Sequence, residues 1–446
     1  MIERSPQEQT ALVIHPAGHD TAPERAAARI EEAAGLAIAL DLGVASTRID
    51  PIRRIEPATY FGRGKVEAIK DELSECGAGV LILDTALSPV QQRNLEKALH
   101  VKVIDRTGLI LEIFGRRANT KEGRLQVELA RLTYERSRLV RTWTHLERQR
   151  GGQGFMGGPG ETQIETDRRI LADKMAKLRR ELDEVRRTRE IHRKRRQAAP
   201  WPTVALVGYT NAGKSSIFNA LSEAKVLAKD MPFATLDPTT RAVKTPSGRK
   251  ILLSDTVGFI TDLPTELIAA FRATLEEVCE ADVLVHVRDM SDPDHEGRKL
   301  DVEEVLEALD AGEKANQTVI EAWNKIDRLE PEERDDLVWH AKLPRKPDQS
   351  LVVATSALSN QGLDELLAKI DESLARDDVL LRLKFSPSDG AALAWVHENG
   401  SILEERRSEE NGMTFVVARL SLPDTGRFRQ RFPGLEAGAP IEPIAH

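Results

Sequence analysis

The chain is poor in cysteine: among 446 residues only Cys76 and Cys279 occur, far apart and with no CxxC pair. This excludes a small module stapled by disulfides and predicts two buried free thiols in a reducing cytoplasm. No run of 18 apolar residues exists, so no membrane-spanning helix is expected. The N-terminus shows no basic segment leading into an apolar core, and no secretory signal is expected either. An excess of positive charge is also missing, since the formal net charge is −8. A protein that coats nucleic acid with its whole surface is thereby excluded.

The acidic total hides an asymmetry. Residues 101–200 hold 25 Lys and Arg against 14 Asp and Glu, a surplus of 11, so the remainder carries −19 of the net −8. One reading is a solvated helical face, since charged helices are common. The other is an RNA-facing element, because attraction to phosphates needs a local patch rather than a basic whole. The length allows about two to four domains.

The run GYTNAGKSS at 208–216 follows the apolar stretch VALV and opens a helical pattern, which is the strand, loop and helix context of a phosphate-binding P-loop. Gly208 and Gly213 let backbone N–H groups turn inward, with Tyr209, Thr210, Asn211 and Ala212 filling the loop between them. Lys214 is expected to reach the β and γ oxygens, and Ser215 to ligate Mg²⁺. A nucleoside triphosphate is the implied ligand.

The base follows from NKID, which is Asn324, Lys325, Ile326 and Asp327, after the strand-like TVIEAW. Asp327 can accept from guanine N1–H and N2–H₂, whereas adenine presents an acceptor at N1 and would leave the carboxylate unpaired. Between the P-loop and NKID stand ATLDPTTR at 234–241 and DTVG, residues Asp255, Thr256, Val257 and Gly258. Beyond it stands TSAL, whose Ser356, Ala357 and Leu358 are counted with the base site. Five segments in this order predict a guanine-nucleotide domain with GTP as substrate.

Elsewhere the pattern sets domain limits. Residues 1–23, polar with scattered Pro and Gly, are expected to form a disordered extension. Over 24–121, a helical run, a strand near 47–52, FGRGKVEAIKDEL, the strand GVLILD, the helix SPVQQRNLEKAL and the strand VKVID predict an N-terminal α/β domain with a parallel sheet. FGRGKV offers Gly62, Gly64 and Lys65 to a second nucleotide but lacks the full loop. Over 122–197 the texture changes to long helices. Leu125, Leu129, Leu132, Leu139, Trp143 and Leu146 make one seam if Arg136 fills the missing step, and Ile164, Leu171, Met175, Leu178, Leu182 and Val185 make another. Two seams predict a basic antiparallel hairpin, about 40 Å long at the usual rise per residue. Its connection, GGQGFMGGPG at 151–160, has six glycines in ten and offers Phe155 and Met156 as apolar tips. Such a segment is either a flexible linker or a loop that another backbone approaches closely.

RKRRQAAPWP places the next boundary near Ala198, and the nucleotide domain is expected to span 198–376. Strands at 379–385 and 414–420 flanking the helix AALAWVHENG predict a small C-terminal α/β domain and tail over 377–446. The fold class is therefore α/β: a P-loop domain with a mostly parallel sheet flanked by helices, an N-terminal α/β domain, a helical hairpin and a C-terminal appendage.

DTVGFI, LPTELIAAFRATLEEV, GGQGFMGGPGETQIETDRR and FATLDPTTR together resemble the HflX family of ribosome-associated GTPases, over about residues 30–430. The glycine-rich block is the most specific part, because generic GTPases lack it. The resemblance implies a GTP hydrolase that binds the large (50S) ribosomal subunit and drives apart stalled or idle ribosomes under stress. It implies a hairpin reaching toward 23S rRNA near the peptidyl transferase centre. It further implies a cytoplasmic monomer, in part associated with membranes without insertion, and no DNA partner. By the same resemblance Thr235, within Phe233, Ala234, Thr235, Leu236 and Asp237, completes the Mg²⁺ shell and senses the γ-phosphate, with Thr239 and Thr240 as rivals. Asp255 would hold the metal through water and Gly258 would offer its N–H to the γ-phosphate. Lys214, Thr235 and Gly258 carry catalysis in this reading.

Phe259 stands where Ras-type enzymes place a water-orienting Gln, and a phenyl ring can neither accept a proton nor align a water. Phe259 also reads as a packing residue, and slow intrinsic turnover raised by a partner is expected. Asn211 either shapes the loop or ligates a K⁺ ion between phosphates. Competing functions are an assembly GTPase that does not split ribosomes, an ATP-driven RNA remodelling enzyme using FGRGKV, and a non-enzymatic RNA clamp.

Overall fold

The computed structural model describes residues 10–19, 21–149, 159–196, 201–222, 232–233, 235–236, 238–262, 275, 277–312, 317–344, 350–376, 378–408 and 412–435, with backbone alone at 137–149, 159–165, 167, 186, 188–196, 401 and 423. The N-terminal domain runs β1 (Thr10–Gly18), α1 (Pro23–Ile38), β2 (Gly43–Ile52), α2 (Arg63–Cys76), β3 (Val80–Leu83), α3 (Pro89–Leu99), β4 (Lys102–Asp105) and α4 (Arg106–Arg117). All four strands are parallel, in the order β2-β1-β3-β4. β1 corrects the expected extension, which is confined at most to residues 1–9, outside the described ones. Its ALVI run is a central parallel strand, buried on both faces as such strands are. Ala11 and Val13 pack into one core cluster and Leu12 and Ile14 into the other. Burying each of the two larger side chains is worth roughly 1.5–3 kcal/mol. Local signals set the helix starts. Ser88 accepts from Gln91 N while the Gln91 side chain accepts from Ser88 N, a capping box with Pro89 behind it.

The hairpin follows as α5 (Lys121–Gln149) and α6 (Pro159–Arg196). Leu125 and Leu132 of α5 meet Met175, Leu178 and Leu182 of α6, with Leu129, Leu171 and Val185 beside them, so the early part of one helix packs on the later part of the other. Arg136 is half-buried. The 29 residues of α5 span roughly 43 Å. Its foot is fixed to the N-terminal domain: Val127 and Ala130 enter that core, and Tyr134 Oη donates to Asp105 Oδ1 at 2.7 Å. The side chains of Leu139, Trp143, Leu146 and Ile164, and the loop with Phe155 and Met156, lie outside the described residues, as does Ala198.

The third domain contains β5 (Thr203–Val207), α7 (Lys214–Ser222), β6 (Thr239–Lys244), β7 (Lys250–Asp255), β8 (Val283–Asp289), α8 (His295–Ala308), β9 (Thr318–Asn324), a short turn of 3-10 helix (Ile326–Arg328), α9 (Pro331–Ala341), β10 (Leu351–Ala354) and α10 (Leu363–Leu374). Its six-stranded sheet has the order β10-β9-β8-β5-β7-β6, parallel except for the edge strand β6. Strand ends of β5, β7 and β9 open on one rim, where the P-loop, DTVG and NKID segments converge.

The last domain is β11 (Val379–Phe385), α11 (Gly390–Asn399), β12 (Ser401–Arg407), β13 (Thr414–Leu420) and α12 (Leu422–Arg431), with antiparallel order β11-β13-β12. β12 and α12 add to the two strands and one helix expected. Cys76 and Cys279 form no disulfide and are half-buried rather than buried.

Candidate guanine-nucleotide site

Glycine is required at the P-loop by space as much as by φ. A Cβ on Gly208, at φ +147°, would lie 2.2 Å from Val287 O, and one on Gly213, at φ +98°, 2.2 Å from Asn324 Nδ2. The loop thus sits directly on β8 and on the NKID asparagine. Asn211 is exposed at the loop's outer turn and holds a left-handed φ of 61°. Lys214, at the start of α7, is buried and donates to Gly208 O at 3.0 Å and Tyr209 O at 2.8 Å. Burial pushes its pKa down to about 8, against the pull of Asp255 and with the push of Lys325.

Ser215, Thr235 and Asp255 meet at one point. Ser215 Oγ donates to Asp255 Oδ2 at 2.7 Å, Thr235 Oγ1 donates to the same oxygen at 2.8 Å, and the two hydroxyls are 2.8 Å apart. Thr239 and Thr240 are held in β6 opposite Asp255 and Ser254. Of the three threonines, Thr235 is the one brought to Ser215. Asp255 is buried, and burial raises its pKa against the hydrogen bond from Ser215, the charge of Lys214 and the hydrogen bond from Thr235. Its Oδ1 has no hydrogen-bond partner among the described residues. Two hydroxyls and a carboxylate, one of whose oxygens is spare and buried, form a hard-oxygen donor set of the kind that suits Mg²⁺.

DTVG continues from β7. Thr256 Oγ1 donates to Leu206 O at 2.6 Å. Val257 is core, and Gly258 passes so close to the P-loop that a Cβ would lie 2.9 Å from Thr210 Cα and 3.0 Å from Lys214 Nζ. The buried Phe259 locks the two loops together: Thr210 N donates to Phe259 O at 2.7 Å and Phe259 N to Gly208 O at 3.1 Å. Phe233 and Leu236 are also buried, while Ala234 and Asp237 fall outside the described residues.

At the base end, Asn324 Nδ2 donates to Ala212 O at 2.9 Å, and its Oδ1 accepts from Ala357 N at 3.1 Å. Lys325, at a left-handed φ of 64°, pairs with Asp289 at 2.8 Å. Ile326 is core. Asp327 Oδ1 accepts from Ser356 Oγ at 2.5 Å, and Leu358 is 84% exposed beside them. The structure therefore gathers the P-loop, Thr235, DTVG, NKID and TSAL on one rim.

The same rim touches the N-terminal domain, which sequence reading missed. Tyr209 Oη donates to Glu32 Oε1 at 2.6 Å, shares a 2.6 Å hydrogen bond with Thr261 Oγ1 and accepts from Thr261 N at 3.0 Å. Burial, followed by Glu32, raises the Tyr209 pKa, so the hydroxyl stays neutral. Arg298 lies over the Tyr209 ring, 4.7 Å from its centroid. Arg106, 3% exposed, reaches Glu32 at 3.0 Å and Asp84, and donates to Thr261 O at 3.0 and 3.2 Å. Arg29 bridges Asp84 at 3.1 Å and Asp262 at 2.8 Å. Burial opposes the ionised form of Asp84, yet the hydrogen bond from His15 and the charges of Arg106 and Arg29 hold its pKa well below the usual carboxylate range. Phe233 packs edge-on against Phe114 of α4, with centroids 4.6 Å apart. No motif marks Glu32, Arg106 or Thr261. By contrast FGRGKV shows no phosphate cradle: Gly62 caps α2 in an extended conformation, and Lys65 Nζ donates to Pro51 O at 2.6 Å within its own domain.

Comparison with known proteins assigns the family. Residues 27–115 match the family described as GTP-binding GTPase N-terminal, 117–196 the GTP-binding GTPase middle region, and 203–325 the 50S ribosome-binding GTPase. The chain is 48% identical over 400 residues to GTPase HflX of Magnetococcus marinus, covering 90% of each chain. It is 43% identical over 383 residues to GTPase HflX of Escherichia coli K12, covering 85% of this chain and 86% of that one. A crystal structure of SsGBP with GDP aligns over 82% of this chain and 98% of its own, at 25% identity and a TM-score of 0.45. With its P-loop rim, its N-terminal domain and its helical hairpin all matched in order, the chain belongs to the HflX family of GTPases.

Proposed function

We propose that this GTPase uses GTP binding to seat its basic hairpin on the 50S subunit, with the loop directed at 23S rRNA near the peptidyl transferase centre, and so drives apart stalled or idle 70S ribosomes under stress. Hydrolysis then resets it. The observation that carries the reading is the meeting of Ser215, Thr235 and Asp255 within 2.8 Å, because it ties the segment holding Phe233 and Thr235 to the P-loop through groups suited to Mg²⁺. Mg²⁺, when bound, neutralises charge on the β and γ oxygens. Lys214 would add a fixed positive charge there, Gly258 an N–H to the γ-phosphate, and Asn324 and Asp327 the guanine contacts. Loss of the γ-phosphate releases Thr235 and Gly258 together, and the second of these is joined through Phe259 to the Thr261 that Arg106 grips.

Phe259 supplies no group to align water, and its burial between the two loops leaves no side chain in that role at its position. Turnover is therefore slow on its own and rises when the ribosome orders the site. K⁺ at Asn211 would add charge stabilisation, and an unchanged rate on replacing K⁺ by Na⁺ would remove it from the scheme. The deciding experiment mixes intact 70S ribosomes with the protein and a non-hydrolysable GTP analogue and follows sedimentation. A shift to free subunits is expected. Ribosomes that stay whole while the protein cosediments with 50S would leave an assembly role instead.

A further inference from the structure

Among the described residues, the C-terminal sheet is covered on one face only. Leu381, Leu383 and Phe385 of β11 and Val416, Ala418 and Leu420 of β13 point to the side that packs with Ala392, Val396 and Phe428 of α11 and α12. The alternation of a strand sends their neighbours to the other side. There the register lines up Lys384, Phe415 and Arg406 in one row, Arg382, Val417 and Glu404 in the next, and Leu380 with Arg419 in a third. A solvated sheet face asks for polar residues, yet its middle strand carries a phenyl ring that is 43% exposed. Lys384 Nζ stands 5.8 Å from the centroid of that ring. Lys384 and Arg406 flank Phe415 in its own row, and Arg382, Arg419 and Glu404 share the face farther along, in a chain whose net charge is −8.

We propose that this face is a stacking platform for single-stranded RNA, with one base on Phe415 and the adjoining phosphates on Lys384, Arg406 and Arg382. The ring lies on the central strand, and cations stand about one strand spacing (~5 Å) to either side. That is the arrangement by which open sheets take unpaired bases: an aromatic face for the base, which tolerates any sequence, and flanking positive charge for the backbone. The charge complementarity favours a polyanion. The other apolar residues of the face, Leu380, Val417 and the exposed Leu403, stand apart among the charges, which favours one stacked base over an amphipathic helix, whose apolar side needs a continuous stripe. This inference goes beyond ribosome splitting and does not rest on it, because no part of the face belongs to the hairpin or to the nucleotide rim.

The test uses the full chain, with a fluorescent single-stranded RNA ten-mer read by anisotropy, and a duplex RNA and a polyglutamate peptide as comparison probes. Phe415→Ala is expected to weaken the single strand about 10-fold, the size of one base–aromatic stack, and to leave the duplex unchanged. Phe415→Tyr restores it, and Lys384→Ala lowers the salt slope of single-strand binding by about 0.7. Because Phe415 points outward, GTP turnover of each variant reports that the fold is intact. Photocrosslinks from a 4-thiouridine ten-mer are expected within 379–385 and 414–420. The proposal is overturned if Phe415→Ala binds the single strand as tightly as the parent, if crosslinks fall in the hairpin alone, or if polyglutamate loses affinity as much as RNA does. The last result would assign the face to an acidic protein.

Discussion

The hydroxyl of Tyr209 joins the P-loop to Glu32 of the N-terminal domain, so removing one oxygen tests that link. Tyr209→Phe keeps the ring and its stacking under Arg298 but deletes the donor to Glu32 and both links to Thr261. A hydrogen bond to a buried charge is worth about 1.5–3 kcal/mol and each neutral one about 0.5–1.5 kcal/mol. Together they put the loss at about 2.5–6 kcal/mol of junction stability, or roughly 10²- to 10⁴-fold in the ratio of closed to open forms. Global melting is the wrong assay for a chain of several domains. Native-state amide exchange at Thr210 and Phe259 is better, because those amides bridge the two loops at 2.7 and 3.1 Å and do not bond to the deleted group. Glu32→Gln and the double variant complete a cycle whose coupling is expected at about 1.5–3 kcal/mol. Additivity within about 0.5 kcal/mol would show that the tyrosine and the glutamate act separately, and the reasoning would fail.

Three further outcomes follow from the site. Gly213→Ala drives a methyl to within 2.2 Å of Asn324 Nδ2 at a φ of +98°, so guanine-nucleotide binding measured by calorimetry should fall at least 100-fold while secondary structure stays intact. Lys214 has a pKa of about 8, below its ordinary 10.5, so the penalty for burying its charge is fully present below pH 8 and is relieved as pH rises toward 10.5. Phosphates brought against it restore the cation, and nucleotide binding at pH 9 should take up a proton; calorimetry in buffers of different ionisation enthalpy that shows none would refute the shift. Asp327→Asn replaces an acceptor-only carboxylate with an amide that cannot accept from both guanine donors, and GTP affinity should drop about 100-fold with the circular dichroism spectrum unchanged.

The nucleotide site was legible because its residues are fixed by close approach. A glycine that must clear Val287 O or Asn324 leaves its mark at a set place in the sequence, and Lys214, Asp255 and Asn324 follow at the spacing of strand ends. The hairpin was legible from leucine spacing, as Leu125, Leu132, Met175, Leu178 and Leu182 show. β1 was not, because four apolar residues between polar flanks carry no period, and only its place between β2 and β3 makes it a strand. β12, SILEERR, is an edge strand whose charges suit an exposed edge and conceal its conformation. The junction was the least legible: Glu32 and Tyr209 are separated by 177 positions, and an ordinary glutamate on an amphipathic helix announces no partner.

In the N-terminal sheet, strand order reverses between β1 and β3, and the crevice outside their carboxyl ends is where parallel α/β sheets usually hold a small molecule. Here Asp84 stands at that crevice, and the cations beside it clasp Thr261 and Asp262. The cargo of this sheet is thus a stretch of its own polypeptide, two residues past the phenylalanine that follows DTVG. In the proposed GTP cycle, a pull on that stretch would reach the foot of the roughly 43 Å helix α5, for Asp105, the neighbour of Arg106, also anchors Tyr134.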